Sequence, residues 1–298
     1  MAQIAHLTPS ALKSDKMKKS LFSFLLVAIC IVMASTAKAQ IINGAYKRQD
    51  VLQKRPMVIP MVREADVFWS QMIWRIIDVR EKINQPLYYP TKPIDGATSL
   101  ARLLLDGIEK GLITPYDARN DDDFKTPMTM AEVKTAFGAE TRTKEVTNFD
   151  TGDTEVRTIE GEIRLEEIKQ FMIKEEWYFD KQNSRLQVRI VGICPIQEFV
   201  REGDETKAVQ RRKVFWVYYP EARDLLAKNE VFNLYNDARR MSFDDLLIKR
   251  YFNSYIVQES NVYNNRSINQ YLSGKTAMLE SKRIEDKIFN FEQDLWEY

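Results

Sequence analysis

The chain contains 298 residues, and its 44 basic and 43 acidic side chains give a formal net charge of +1 at pH 7. A charge this close to balance does not indicate a nucleic-acid partner. With 44% hydrophobic residues and only ten glycines and ten prolines, the composition indicates a folded chain with a sizeable core and not a linker-rich one.

The N-terminal segment has the pattern of a secretory signal peptide. Two lysines precede an apolar run over residues 21–37, and Ala37-Lys38-Ala39 provides the small residues of a cleavage site. We therefore predict that residues 1–39 are a leader and signal peptide, with the true start at Met17 and cleavage after residue 39. Because the run falls short of the ~20 apolar residues that a spanning helix needs, we expect no membrane span in the mature chain. An uncleaved anchor is the alternative.

Cleavage would change the inventory of reactive side chains. The only histidine, His6, would be lost, and 39 basic against 42 acidic residues would leave a net charge of −3. Without imidazole, the mature chain could not use Ser-His-Asp or Cys-His catalysis or a histidine-based metal site. Ile29 before Cys30 does not fit a lipidation signal, so no lipid is expected. Cys194 would be the sole cysteine, and we expect it to be buried in an apolar strand.

Residues 40–62 are predicted to form an extended arm. Pro56 and Pro60 lie in this segment, and each proline favours extended backbone at the residue before it. Apolar arms of this kind dock either on a neighbouring subunit or on their own domain. Both alternatives stay open at the level of sequence.

Three helices are predicted in the next part of the chain. The second helix runs from about Thr98 to Lys110 with Gly111 after its end, and the third opens with the capping-box residues Thr129 and Glu132. The first is a long helix before Pro86, based on apolar residues at three- and four-residue steps. These are Ala65, Trp69, Met72, Ile76, Val79 and Ile83.

Strands are predicted in the middle of the chain and helices at its end. A hairpin over residues 143–159 turns at residues 150–153, a helix covers 165–179, and strands follow at 186–190 and 214–219, the last in the middle of the sheet. Beyond Pro220 the pattern is helical, with Ser242 as one N-cap. We therefore predict an α+β fold, in which an antiparallel-rich sheet is flanked by helices. Residues 63–220 would form the α+β core, and 221–298 a helical C-terminal region packed on it.

Few residues point to chemistry. The sequence contains no glycine-rich phosphate loop, no Cys-x-x-Cys and no nucleophile elbow. Glu175, Glu176 and Asp180 beside two aromatic residues could serve a glycan hydrolase, although acidic residues near a helix end are more often solvated. The acidic run at residues 121–123 resembles a surface loop more than a calcium loop. The basic run at 211–213 fits either strand-edge protection or contact with an acidic partner or lipid headgroups. We expect no metal and no cofactor.

Two segments are candidate interfaces. The first is the arm, through Pro56 and Pro60. The second is the last helix, where an amphipathic stripe ends in a tryptophan, a residue type enriched in interface anchors. Packing of this helix on its own domain is the alternative. The stripe contains Ile288, Phe291, Leu295 and Trp296.

From about Asp50 to the C-terminus the sequence resembles the GldN family of gliding-motility proteins, called PorN in type IX secretion. The resemblance lies in the order of several segments and not in one diagnostic motif. These segments are Lys174-Glu175-Glu176-Trp177-Tyr178-Phe179-Asp180, Val188-Arg189-Ile190-Val191-Gly192-Ile193, Phe215-Trp216-Val217-Tyr218-Tyr219-Pro220, Ser242-Phe243-Asp244-Asp245-Leu246 and Phe291-Glu292-Gln293-Asp294-Leu295-Trp296-Glu297.

The resemblance implies a structural subunit of the type IX secretion machinery of Bacteroidetes. It implies a periplasmic location on the inner side of the outer membrane and assembly into a ring with an outer-membrane lipoprotein, GldK or PorK. The ring would couple to the periplasmic part of the GldL–GldM motor, whose GldM protein corresponds to PorM. No catalytic residue follows from the resemblance. The remaining alternatives are a glycan hydrolase and a monomeric carbohydrate- or peptide-binding module.

Overall fold

The computed structural model describes residues 54–295, except 95, 120–121, 140–141, 148–153, 160, 162, 201–207 and 234–239. The described residues belong to one compact unit. The predicted signal peptide, the first part of the predicted arm and Trp296 lie outside the described residues. The strands are β1 (Val67–Asp78), β2 (Pro115–Asp117), β3 (Arg142–Thr147), β4 (Thr154–Ile159), β5 (Ile168–Asp180), β6 (Arg185–Val200), β7 (Val209–Lys213), β8 (Phe215–Tyr218), β9 (Glu230–Val231), β10 (Met241–Ser242) and β11 (Tyr255–Glu259).

The main sheet has seven strands in the order β11-β1-β5-β6-β8-β2, and β7 pairs with the end of β6. All of these pairings are antiparallel. β5 and β6 form a long hairpin at the centre, in which Asp180 pairs with Arg185 beside the turn. β3 with β4 and β9 with β10 form two small separate sheets.

Helices pack beside the sheet, which confirms the predicted α+β class. Within the described residues, none of the helices combines the length and the apolar character required to cross a membrane. The helices are α1 (Gln85–Tyr88), α2 (Leu100–Glu109), α3 (Met130–Ala136), α4 (Tyr219–Lys228), α5 (Phe243–Ile248) and α6 (Lys275–Asp294).

The predicted helix caps and the predicted glycine after the second helix are confirmed. Ser99 caps α2, and Gly111 follows the helix with φ +65°, a backbone conformation that glycine adopts without steric cost. The Thr129–Glu132 capping box opens α3, and Ser242 caps α5 in the same way. Each cap satisfies backbone N–H groups that the first turn leaves free.

Two predicted helices are wrong, because both segments are strands. The segment predicted as the long helix from 65 to 83 contains β1, and most of the segment predicted from 165 to 179 is β5. Ile73 and Trp74 are adjacent and both almost fully buried, as are Met172 and Ile173. A strand covered on both faces carries a continuous apolar run, which also fits helical spacing. β-branched and aromatic side chains then favour the strand.

The remaining predictions differ in outcome. The strand predicted at 214–219 is β8, and Phe215, Trp216 and Val217 are buried as expected. It lies between β6 and β2 and not at the middle of the sheet. The predicted hairpin is the β3–β4 pair, whose turn lies outside the described residues.

The C-terminal part contributes more than helices. Helices α4, α5 and α6 are present where helical structure was predicted, but β11 also lies here and pairs with residues 73–76 of β1. The last part of the chain is therefore an edge of the main sheet as well as a cover for it. The predicted domain boundaries themselves stay predictions.

Candidate interaction surfaces

The Glu175 side chain, a candidate catalytic carboxylate, is fully buried and bound to two arginines. The Nη1 atom of Arg250 lies 2.7 Å from Oε1 of Glu175, and the Nε atom of Arg75 lies 3.4 Å from Oε2. The indole Nε1 of Trp177 donates a hydrogen bond of 3.0 Å to the same Oε2 atom. Both carboxylate oxygens are therefore engaged within the chain.

Arg75 extends this buried network to helix α6. Its Nη1 atom lies 3.5 Å from Oε1 of Glu285. Burial lowers the pKa of the Arg75 guanidinium, and the charge of Glu175 opposes that shift. Because a buried charge is costly unless it is paired, the network ties β1, β5 and α6 together.

The other two candidate carboxylates lie elsewhere. Glu176 follows Glu175 in the same strand, so the two side chains point to opposite faces of the sheet. Asp180 accepts hydrogen bonds from Asn183 Nδ2 at 2.7 Å and Gln182 N at 2.9 Å in the β5–β6 turn, and the Asn183 bond lowers the pKa of Asp180. The three carboxylates do not converge on one site, so the glycosidase hypothesis has no geometric support from them.

The acidic run before α3 is paired with lysines. Lys174 donates to the carbonyl oxygen of Asp122 at 2.8 Å, and Lys125 Nζ lies 2.9 Å from Oδ2 of Asp123. Asp121 lies outside the described residues. Across the described part of the chain, no cluster of three or more His, Cys, Asp or Glu side chains is placed to hold a metal ion.

The basic run of β7 has partners on β6. The Nε atom of Arg211 lies 2.8 Å from Oε1 of Glu198, and the Nε atom of Arg212 donates to Oε1 of Gln197 at 2.9 Å. These contacts fit the interpretation that the charges belong to the strand edge. Cys194 in β6 is fully buried as predicted, and burial raises the pKa of its thiol to about 12.

The described part of the arm docks on its own domain through backbone and side-chain contacts. Lys54 forms an ion pair with Asp245 of α5. Arg223 of α4 donates to the carbonyl oxygen of Met57, and Arg189 of β6 donates to that of Pro60. Residues 54–63 form neither helix nor strand, so these contacts hold the arm against the β6 side of the sheet.

The outward side of the arm is apolar and uncovered. Met57 is 60% exposed, Val58 88% and Met61 96%. We call these three side chains the arm ridge. Of the two prolines predicted as interface residues, Pro56 is half-buried and Pro60 is exposed.

The stripe predicted on the last helix faces the chain's own sheet. Ile288 is almost fully buried and packs with Ile73, Ile256 and Ile284. The Phe291 ring centroid lies 4.7 Å from that of Trp69 in β1. Leu295 is half-buried at the helix end, and Trp296 lies outside the described residues.

A groove of about 680 Å³ runs between α6 and the N-terminal half of β1. Trp69, Leu279 and Phe291 supply apolar parts of its lining, and Lys282 and Asp294 are among the charged ones. We call this feature the α6 groove. β1 pairs with β5 along its whole length, whereas β11 covers only residues 73–76. Among the described strands, residues 67–71 thus have a neighbour on one side only.

Sequence reasoning missed both the buried network and the α6 groove. Arg75 lies between Trp74 and Ile76, and a charged residue inside an apolar strand signals a buried partner. Its partners, Glu175 and Glu285, lie far away in the chain, so only the tertiary structure identifies them. The groove leaves no local signal, since it exists only where two distant elements meet.

A comparison with protein families finds a match over residues 62–297 to the family described as Gliding motility associated protein GldN. A comparison with curated proteins finds no match. The family match covers nearly all of the described residues, including the sheet, the buried network and the α6 groove.

Proposed function

Because the chain belongs to the GldN family of gliding motility associated proteins, we propose that it is a structural periplasmic subunit of the gliding motility and type IX secretion machinery. In this function it forms a ring complex with a GldK- or PorK-like outer-membrane lipoprotein. The ring couples to the periplasmic part of a GldM- or PorM-like motor protein. The observation that carries the proposal is the family match over residues 62–297.

The structure supports a role in assembly in two ways. Of the acidic residues that a glycan hydrolase would need, Glu175 and Glu176 lie on opposite faces of β5, and Asp180 lies at the β5–β6 turn. In contrast, the arm ridge is an exposed apolar surface, and the α6 groove is an open surface lined by both apolar and charged side chains. Exposed apolar surfaces of this kind are typical of protein–protein contacts. The proposed subunit therefore acts through binding and without catalysis.

The proposed location rests on the N-terminal sequence. A signal peptide over residues 1–39 would export the chain, and the absence of a lipidation signal at Cys30 would leave the mature chain without its own lipid anchor. Attachment to the outer membrane would then come from the lipoprotein. In this arrangement the lipoprotein anchors the complex in the outer membrane, and this chain provides protein–protein contacts.

The test is to tag the chain at its natural locus, solubilise the envelope gently, and determine the mass and composition of what co-purifies. The expected result is an assembly of many copies with an outer-membrane lipoprotein and a motor protein, and loss of gliding or secretion when the gene is deleted. A monomer under several gentle conditions, together with unchanged gliding and secretion after deletion, would contradict the proposal.

A further inference from the structure

We propose that copies of this chain contact one another head to tail, with the arm ridge of one copy seated in the α6 groove of the next. The inference rests on the proposed function and deepens it, because it names the self-contact that a ring subunit requires. The occupant of the groove is a second copy of this chain.

The arm ridge is prepared for such a contact without refolding. Arg223 and Arg189 bind backbone carbonyl groups of the arm, which leaves the Met57, Val58 and Met61 side chains directed away from the domain. Prolines in the arm restrict its backbone and so reduce the entropy that docking would cost. The ridge therefore acts as a pre-formed apolar surface held on its own subunit.

The α6 groove has the size and lining to receive this ridge. Its volume of about 680 Å³ lies within the range of about 300–1,000 Å³ typical of binding pockets. Trp69, Leu279 and Phe291 offer apolar contacts, and Leu279 is 59% exposed. The unpaired edge of β1 beside the groove adds free backbone donors and acceptors for an extended segment.

Most charged side chains that line the groove already have partners within the chain, and the charges that remain unpaired on the two surfaces are complementary. In the groove, Lys282 lies 3.2 Å from Asp286, and Lys287 lies 3.7 Å from Glu259. Arg283 at the groove pairs with Glu280.

Asp294 at the groove, by contrast, has no ion-pair partner among the described residues. The same holds for Arg55 and Arg63, which flank the ridge and are exposed. A carboxylate at the groove and cations beside the ridge favour the proposed partner and its orientation.

The positions of the two surfaces favour a ring. The arm is held by β6 and α4, whereas the groove is lined by β1 and α6, so ridge and groove are different surfaces of the subunit. A contact between two different surfaces is heterologous, and repeated heterologous contacts close into a ring when the rotation permits. A symmetric dimer would instead need the ridge and the groove of one copy to meet the groove and the ridge of the same partner at once.

The test is site-directed crosslinking in the bacterium that produces the chain. Two differently tagged copies are produced together, one with Val58→Cys and the other with Leu279→Cys, and a short bis-maleimide reagent is applied to intact cells. The expected product is a crosslinked dimer that carries both tags. Each single variant alone gives the background, and Val262→Cys replaces Val58→Cys as a matched control, since Val262 is 90% exposed outside both surfaces.

The outcomes separate this inference from the proposed function. A crosslink between Val58→Cys and Leu279→Cys that is absent with the Val262→Cys control supports the contact. If the large assembly purifies normally but Leu279→Cys crosslinks only to another protein, or if Val58→Cys copies crosslink to each other, the inference is overturned while the function stands. If no assembly exists, both the proposed function and this inference are contradicted.

A second pair of variants tests the contact by binding strength. Met61→Asp places a charge on the ridge and is expected to reduce the crosslinked species on the order of tenfold, because buried apolar area is lost. Val262→Asp is the control at similar exposure. Equal crosslinking in both variants, with both chains folded by circular dichroism, would overturn the inference.

Discussion

The Arg75 guanidinium of β1 and the Glu175 carboxylate of β5 form a buried ion pair, with 3.4 Å between Nε and Oε2. Arg250 donates to both oxygens of the same carboxylate, from Nη1 to Oε1 at 2.7 Å and from Nη2 to Oε2 at 3.3 Å. One carboxylate thus binds two guanidinium groups, and Glu285 of α6 supplies the second negative charge, 3.5 Å from Nη1 of Arg75. The role of Glu175 is to hold the structure together, and the first prediction follows from this.

Replacing Glu175 by glutamine is expected to destabilise the protein by about 3 kcal/mol, because Arg250 loses its counter-charge and buried Arg75 keeps only the partly exposed Glu285. Glu176→Gln is the matched control on the opposite face of the same strand, where we expect a change within about 0.5 kcal/mol. Chemical denaturation of the purified variants measures both. A Glu175→Gln protein as stable as wild type would contradict the structural role and return attention to catalysis.

The second prediction concerns acid. Burial alone would raise the pKa of Asp78, but hydrogen bonds from Arg80 and Gln170 outweigh it and hold the pKa at about 2. A carboxylate with a depressed pKa stabilises the folded state above its unfolded pKa, and this contribution is lost as pH falls through the folded value. The loss should therefore occur between about pH 4 and pH 2.

Asp78→Asn removes this titration. The free energy of unfolding of the variant should fall less steeply than that of wild type between pH 5 and pH 2, by about 1 kcal/mol after allowance for solvent screening. Denaturant unfolding at a series of pH values measures the difference. Parallel pH profiles for the two proteins would show that Asp78 does not carry this contribution.

The third prediction concerns the arm. Arg189→Ala removes the donor to the Pro60 carbonyl oxygen, so the amides of Met57, Val58, Ile59 and Met61 should exchange hydrogen faster while the sheet remains protected. Arg185→Ala, an exposed substitution at the start of the same strand, is the control. Hydrogen exchange followed by mass spectrometry distinguishes the two. Unchanged exchange in the arm would contradict the prediction and show that the contacts of Lys54 and Arg223 hold the arm without Arg189.

The fourth prediction concerns close packing at Gly192. A Cβ atom at this position would lie 2.4 Å from the Phe124 ring and 3.2 Å from the Val217 carbonyl oxygen. Gly192→Ala should therefore cost about 1–3 kcal/mol through overpacking. In a double-mutant cycle the cost should be smaller in a Phe124→Leu background, where the ring is absent. Additive losses in the double variant would rule out this contact as the cause.

Much of the fold could be predicted from local chemistry. Ser99, Thr129 and Ser242 each cap a helix as their sequence context indicates, because a cap involves groups only three residues apart. The apolar run at β8 and the buried Cys194 were predicted for a similar reason, since composition alone signals burial there. The order of segments along the chain was enough to predict the family, which the family comparison confirms.

The tertiary structure decided the rest. The spacing of apolar residues in β1 fits a helix as well as a strand, and pairing with neighbouring strands selects the strand. Glu175 became a structural residue because Arg75 and Arg250 reach it from distant parts of the chain. The α6 groove has no local signature for the same reason. Caps and buried runs depend on groups close together in sequence, whereas ion pairs, sheet neighbours and grooves depend on contacts that form only when the whole chain folds.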